Sequence, residues 1–433
     1  MVRRVDNQEA KKVMWRGRVR NRTASLIFIF ITLLIDVLGM GLVIPVMPTL
    51  ITAVSKGGSS AGAHWYGLLL SSYGLMQFLF APVLGSLSDR FGRRPVLLVS
   101  LFFTAIDYLL MAWAPSVGWL FVGRILTGIT GASFTTASAY IADVSPPEKR
   151  AQNFGLVGAA FGVGFIVGPA LGGALGAISL RAPFWAAAGL SLLNCLYGLM
   201  VLPESLSAEN RRAITFRTAN PLGALRILAR RPWVLWMAGS IAIGSLAMQS
   251  LQSTWVLYTT YRFHWTPPDN GGALALLGLG SIGVQAGLVG LLVQRLGEKR
   301  TILWGLFFNF VGFLGFAMAS QGWIMIVMML VWCLSFAGGP TTQSLISKEY
   351  GPDEQGGVQG ALTSLQSLTG IVGPILGASV FGYFTARAAP ILLPGAAFWL
   401  GAVLIFLSGL LAVSALRRMR GDVPAFAVPA AAE

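Results

Sequence analysis

Apolar residues run through this chain in long, nearly unbroken stretches, separated by short polar turns. Each stretch reaches roughly 20 residues, enough for a helix to cross the hydrocarbon core of a bilayer. The pattern predicts spans near 24–53, 65–86, 94–114, 118–141, 153–176 and 183–202, then near 232–259, 271–294, 301–319, 323–346, 358–383 and 391–415. Nothing resembles the ten-residue alternation of an outer-membrane barrel. The expected fold class is an all-α polytopic membrane protein. Its domains are a basic tail over 1–22, a six-helix bundle over 23–202, a polar Arg-rich loop over 203–231, a second bundle over 232–416 and a tail over 417–433.

Composition supports that class. Of 433 residues, 55% are hydrophobic and 11% charged, with a mean hydropathy of +0.71, whereas a soluble domain carries about 25% charged residues. The net charge of +15 suggests a nucleic-acid partner until the positions are mapped. Of the 31 Lys and Arg, Lys56, Arg181, Arg262 and Arg387 fall in one set of loops and Arg124 inside a span. The remaining 26 fall on the other side, which the positive-inside bias marks as cytoplasmic. Both termini are expected there, in a bilayer and with no nucleic acid bound. Cys195 and Cys333 lie in apolar runs, and His64 and His264 are too separated for a metal site. No phosphate-cradling loop or catalytic constellation occurs, so an enzyme is not expected.

An internal repeat orders the helices. Gly85, Arg90 and Gly92 recur 205 residues later as Gly290, Arg295 and Gly297, and the same offset relates Gly155 to Gly360 and Gly168-Pro169 to Gly373-Pro374. Two six-helix halves of parallel repeat follow, an arrangement found in transporters.

Charge inside the spans marks the candidate chemistry. Asp36 and Asp107 sit mid-span, where a carboxylate is costly unless it meets a cavity or a partner. Each is a candidate for proton coupling or, alternatively, for a fixed structural pair. Arg124 needs an anionic or polar partner, with Asp36 or Asp107 available. Gly85-Ser-Leu-Ser-Asp-Arg-Phe-Gly-Arg-Arg94 is a charged hinge between two spans, with Gly85, Asp89, Arg90, Gly92, Arg93, Arg94 and Asp143 as candidate gate residues. Gly155, Gly164, Gly168, Pro169 and Gly172 allow close helix packing and a kink. Amides and aromatics in or near spans, Gln77, Gln249, Gln252, Trp255, Tyr258, Gln285, Asn309, Gln343 and Gln366, are candidate contacts for an amphipathic, ring-containing substrate.

The hinge resembles the loop signature of the major facilitator superfamily, and Gly155–Gly173 resembles the helix-five motif of its drug/proton antiporters. Leu34–Pro48, Ile106–Leu110 and Gly123–Gly131 are similar to the bacterial tetracycline/proton antiporters. The resemblance implies the major facilitator fold, an inner-membrane location and a monomer. It implies transport roles for acids matching Asp36 and Asp107, and a contact between Asp89 and the start of the eleventh span near Gly357–Gln359. Two departures stand out. Gln294 replaces the gate acid in the second loop, and Asn309 stands where members of the group often carry an acid. The second half then has no embedded Asp or Glu, so any coupled protons fall to Asp36 and Asp107.

The expectation is a secondary transporter exporting a small amphipathic compound, tetracycline or a relative, in exchange for protons. The proton gradient supplies the energy and no cofactor is needed. The alternatives are a proton symporter importing an organic metabolite or anion, with Arg124 contacting it, and a membrane sensor or scaffold.

Overall fold

A computed structural model of the chain describes residues 26–55, 58–131, 133–145, 150–206, 211, 228–350 and 355–419, without the side chains of 133, 150–152, 154–156 and 355–357. The expected N-terminal tail, most of the central loop and the end of the C-terminal tail lie outside the described residues.

Among the described residues, twelve helices are long and apolar enough to cross a membrane. They are α1 (Leu26–Val43), α2 (Gly58–Phe91), α3 (Arg93–Trp113), α4 (Val117–Val144), α5 (Arg150–Ile178) and α6 (Ala182–Val201). After the central loop come α7 (Pro232–Phe263), α8 (Pro267–Leu296), α9 (Glu298–Met318), α10 (Gly322–Ser347), α11 (Gln355–Thr385) and α12 (Ala396–Arg418). The chain is a multi-pass membrane protein.

Where helix limits depart from the expected spans, backbone chemistry explains it. The first span, expected to run to 53, ends at Val43 and restarts as the short helix Met47–Val54. Pro45 cannot donate to the preceding turn, and Pro48 suits the first turn of a new helix. In α4 the helix breaks at Gly131. Side chains reach the carbonyls there: Ser100 Oγ donates to Thr130 O at 2.5 Å and Gln77 Nε2 to Gly131 O at 3.4 Å. Backbone groups left open inside a bilayer need such partners.

The described residues pack into two compact units: Met1–Ala219 with Val256–Leu279, and Asn220–Trp255 with Gly280–Glu433. The end of α7 and the first part of α8 therefore pack within the first unit, although they follow the central loop in sequence.

The core of the first unit joins Phe28, Ile29 and Leu33 of α1 to Leu97 and Leu101 of α3 and to Tyr140 and Ile141 of α4. The core of the second joins Trp233 and Met237 of α7 to Ile302 of α9, Ile346 of α10, Val358 of α11 and Ala415 of α12. Beside it Ser240 and Ser408 link α7 to α12, 2.9 Å between hydroxyls. Outside the cores the helices turn Leu, Val and aromatic side chains outward, as lipid contact requires; Leu192, Leu193, Leu196 and Met200 form such a face on α6.

The glycine series of α5 positions the first helix. Gly164, Gly168 and Gly172 recur every fourth residue on one face. A Cβ at Gly164 would meet Val37, at Gly168 the backbone of Gly41, and at Gly172 the backbone of Leu42. The two helices touch backbone to backbone over Val37–Leu42, immediately after Asp36. Further along, Gly173 faces Pro268 and Gly271 of α8. Gly155 lies within the helix, and a Cβ at Gly158 would meet open space.

This contrast yields a paired prediction. Gly172→Ala is expected to destabilise the purified protein by about 1–3 kcal/mol, because the backbone of α1 must move. Gly158→Ala should be neutral or slightly stabilising. Thermal melts in one detergent check both, and equal melting temperatures would count against the packing account.

Candidate functional site

The polar groups buried in the first unit gather on neighbouring helices. On α3 the buried positions Thr104, Asp107, Tyr108 and Met111 follow helical spacing and share a face. Asp107 is wholly buried, and its carboxylate pairs with Arg124 Nη2 of α4, whose side chain is 12% exposed. Gly123 makes room, since a Cβ there would run into Asp107 Oδ1. Thr127 stands one turn on from Gly123, beside the carboxylate, its hydroxyl donating to Gly123 O at 3.0 Å.

The guanidinium is held from other directions as well. Its Nη2 lies 3.2 Å from Met111 Sδ, and its carbon sits 5.6 Å from the centre of the Tyr73 ring on α2. Gln77, one turn along α2, donates to Tyr73 Oη at 3.0 Å. Asp36 is buried on α1 and interacts electrostatically with Tyr73 and Tyr108, as do Asp107 and Arg124. Asp36, Asp107 and Arg124, separate in sequence, thus belong to one polar cluster. Gln77 joins it as a ligand of Tyr73.

At one end of the same unit the candidate gate residues form a second network. Gly92 is the single residue between α2 and α3, with φ +107°, a conformation that disfavours any side chain. The first amides of α3 lack a cap from their own sequence. Glu204 supplies it, accepting from Arg93 N at 2.8 Å and Arg94 N at 3.2 Å. A carboxylate there also suits the positive end of the helix dipole. A Cβ at Gly92 would strike that carboxylate, so glycine is required twice over.

Arg93 is the centre of this network, 2.5 Å from Asp89 Oδ1, 3.1 Å from Asp143 Oδ2 and 2.6 Å from Ser88 Oγ. Ser205 Oγ donates to the same Asp143 oxygen at 3.1 Å. Of the three candidate gate arginines, Arg93 is the one that meets Asp143. Arg94 Nη2 donates to Leu199 O at 2.7 Å, and Arg90 packs 5.3 Å from the Phe91 ring. Gly85 has open space around it. Gly357, expected beside Asp89, has no described side-chain surroundings. Glu204 escaped the sequence reading. Its signal was indirect: α3 begins Gly-Arg-Arg-Pro without a capping side chain, and Pro203-Glu204-Ser205 follows α6.

The second unit contains a cavity of about 510 Å³, and the described residues that line it carry no charge. Gln285, Asn309, Gln343 and Gln366 line it, together with the hydroxyls of Ser240 and Ser335. Two helices are irregular where they border it. Gln285 sits in a π-helical turn of α8 (Val284–Leu288), and Ser335 in a 3₁₀ turn of α10 (Leu334–Ala337). Such turns occur often at functional sites. Trp332 Nε1 donates to Asn309 Oδ1 at 2.8 Å, Gln343 Nε2 to Gln359 Oε1 at 2.6 Å and Gln285 Nε2 to Ser281 Oγ at 2.7 Å.

Other amide and aromatic candidates lie elsewhere. Gln249 packs against Gly370 and Gly373 of α11, and Gln252 is exposed. Trp255 is buried edge-on against Phe316, ring centres 5.3 Å apart, and Tyr258 is buried against Phe263.

The family and relatives of this chain make it a membrane transporter rather than an enzyme. The chain belongs to the Major Facilitator Superfamily, whose family model matches residues 29–374. It is 43% identical over 357 residues to the class C tetracycline resistance protein of Escherichia coli, covering 82% of this chain and 89% of that protein. The class H tetracycline resistance protein of Pasteurella multocida is 38% identical over 84% of this chain and 90% of its own. Among solved structures, the human organic anion transporter MFSD10 (TETRAN) is 26% identical, with a TM-score of 0.67 over 90% of this chain and 99% of that one.

Two predictions follow from the networks. Arg124→Leu strands a buried carboxylate and should cost about 3–5 kcal/mol, whereas Arg124→Leu with Asp107→Leu should cost less than the single change. Melting curves of the variants test this non-additivity. Glu204→Ala should cost about 0.5–2 kcal/mol through lost capping, with Glu204→Gln intermediate. Hydrogen exchange at the start of α3 should rise in the same order.

Proposed function

We propose that the chain exports tetracycline or a related amphipathic ring compound across the bacterial inner membrane in exchange for protons. The observation that carries this reading is the Asp107–Arg124 pair, buried in a unit that also buries Asp36, in a chain so similar to tetracycline resistance proteins. A proton arriving at Asp107 neutralises the carboxylate and weakens its hold on Arg124. The guanidinium then depends on the Tyr73 ring and its remaining contacts, and α3 is free to shift against α4. Deprotonation restores the pair. Asp36, on the helix held by the glycines of α5, is the second proton-binding group.

Cargo binding falls to the second unit on this reading. The cavity around Asn309 offers amide and hydroxyl groups to a ring system rich in oxygen, and its described lining carries no charge. The sequence halves 23–202 and 232–416 act as the moving bodies, joined by the loop at 203–231. The distribution of Lys and Arg supports cytoplasmic termini, and one chain is the working unit. An organic anion bound at Arg124 fits less well, because that guanidinium already faces Asp107.

A susceptibility panel in an efflux-deficient host, tetracyclines included, should show raised resistance to tetracycline when the chain is expressed. In everted vesicles, adding that drug should dissipate an imposed proton gradient. Asp36→Asn or Asp107→Asn should reduce the response at least about tenfold, as expected when a proton-transfer group is lost. Unchanged coupling in both variants would remove the proton assignment, and unchanged susceptibility would remove the cargo.

A further inference from the structure

The repeat carries an ion pair that has kept its place and exchanged its charges. Helices α3 and α9 are each 21 residues long, and their ends, 93 and 113 against 298 and 318, are 205 residues apart. Their N-caps, Gly92 and Gly297, share positive φ and extended ψ, 107° and 159° against 78° and 161°. Pro169 inside α5 and Pro374 inside α11 are again 205 apart. The offset is the same on both sides of the interval, so positions inside it correspond directly. Arg93 corresponds to Glu298, and Asp143 to Lys348.

In the first unit Arg93 Nε meets Asp143 Oδ2 at 3.1 Å; in the second, Lys348 Nζ meets Glu298 Oε1 at 2.6 Å. The embedded pair has no such counterpart. Asp107 corresponds to Gly312, whose missing side chain makes room for Trp332, and Arg124 to the buried Met329. At these positions the second unit carries charge at its end and none in its middle.

Helix dipoles give the reversed polarity a physical reason. Glu298 is the first residue of α9, where negative charge is favoured, and Lys348 caps the end of α10, where positive charge is favoured. In the first unit both signs oppose the dipoles, with Arg93 opening α3 and Asp143 in the last turn of α4. That arrangement is accompanied by extra groups, Glu204 on the first amides of α3 and Asp89 beside Arg93. The second loop has Gln294 at the position of Asp89.

The geometry points to Glu298 and Lys348 as the second unit's own fastener, a positioning pair that holds the start of α9 to the end of α10 during transport. Its polarity matches its helix ends, so it needs no auxiliary carboxylate. This rests on the transport reading above, and two readouts separate the two. In everted vesicles, Glu298→Gln or Lys348→Gln should lower drug turnover about two- to fivefold, the range expected of a largely exposed pair, with drug Kd unchanged. The double reversal Glu298→Lys with Lys348→Glu should recover turnover relative to either single reversal.

Hydrogen exchange at the start of α9 and the end of α10, measured without cargo, should rise in the single variants and fall again in the double reversal. Wild-type rates in both single variants, or no recovery in either readout on double reversal, would overturn the proposal. Recovery of protection in a protein that moves no tetracycline would instead leave the fastener standing and remove the cargo reading.

Discussion

The constraint behind this structure is the cost of placing a charge where no water can solvate it. A carboxylate or guanidinium alone in hydrocarbon is so unfavourable that each must find a partner or disappear. Asp107 and Arg124 satisfy the constraint through each other, and much nearby sequence serves that pairing. Gly123 keeps α4 clear of the carboxylate, Tyr73 turns its ring to the guanidinium, and Gln77 fixes the tyrosine hydroxyl. Further out, α5 gives up side chains at Gly164, Gly168 and Gly172 so that α1 can lie against it, just past Asp36. On the proton-exchange reading, a position that binds and releases protons has to be built this way. The partner must stabilise the charged form without making it permanent.

The same physics governs the loop at the end of the first unit, where the unsolvated groups are backbone amides. A one-residue connection between α2 and α3 leaves no length for an ordinary capping box. The acceptor comes instead from Glu204, more than a hundred residues along the chain. A single carboxylate therefore ties the end of α6 to the start of α3, next to the arginine that joins α2 and α4. The hinge is part of a four-helix network, and motion of any of those helices must break or carry its bonds.

Much of this was legible in the sequence, for identifiable reasons. Spanning helices are visible because hydrocarbon demands long apolar runs. Asp36, Asp107 and Arg124 are visible because charge is scarce inside such runs. The glycine series of α5 is visible because its spacing matches the helix. What stayed hidden depends on tertiary contact. Nothing local marks Glu204 as a cap for a helix it does not adjoin. Trp255 reads as a ring available for stacking until Phe316 is seen to cover it. The π turn in α8 has no proline near it to announce it, whereas Pro340, three residues past the 3₁₀ turn of α10, removes a donor to that turn. The choice of Arg93 over Arg90 and Arg94 as the partner of Asp143 is a matter of helix phase, which a run of three nearby arginines does not reveal.

The two repeats show how one architecture came to hold different chemistry. At the helix ends, a reversed pair is a small change. Both polarities can be solvated there, and the dipoles favour the arrangement found in the second unit. In the middle of the membrane, reversal or partial loss is not open in the same way, because an intermediate with one charge would be stranded. The second unit carries neither charge: Gly312 and Met329 stand at the matching positions, with Trp332 filling the space and donating to Asn309. Freed of charge, that region borders a cavity of amides and hydroxyls. Under the proton-exchange reading, the division of labour follows from electrostatics: the unit that kept the buried pair responds to protons, and the unit that lost it can hold a neutral polar ring without competing for them.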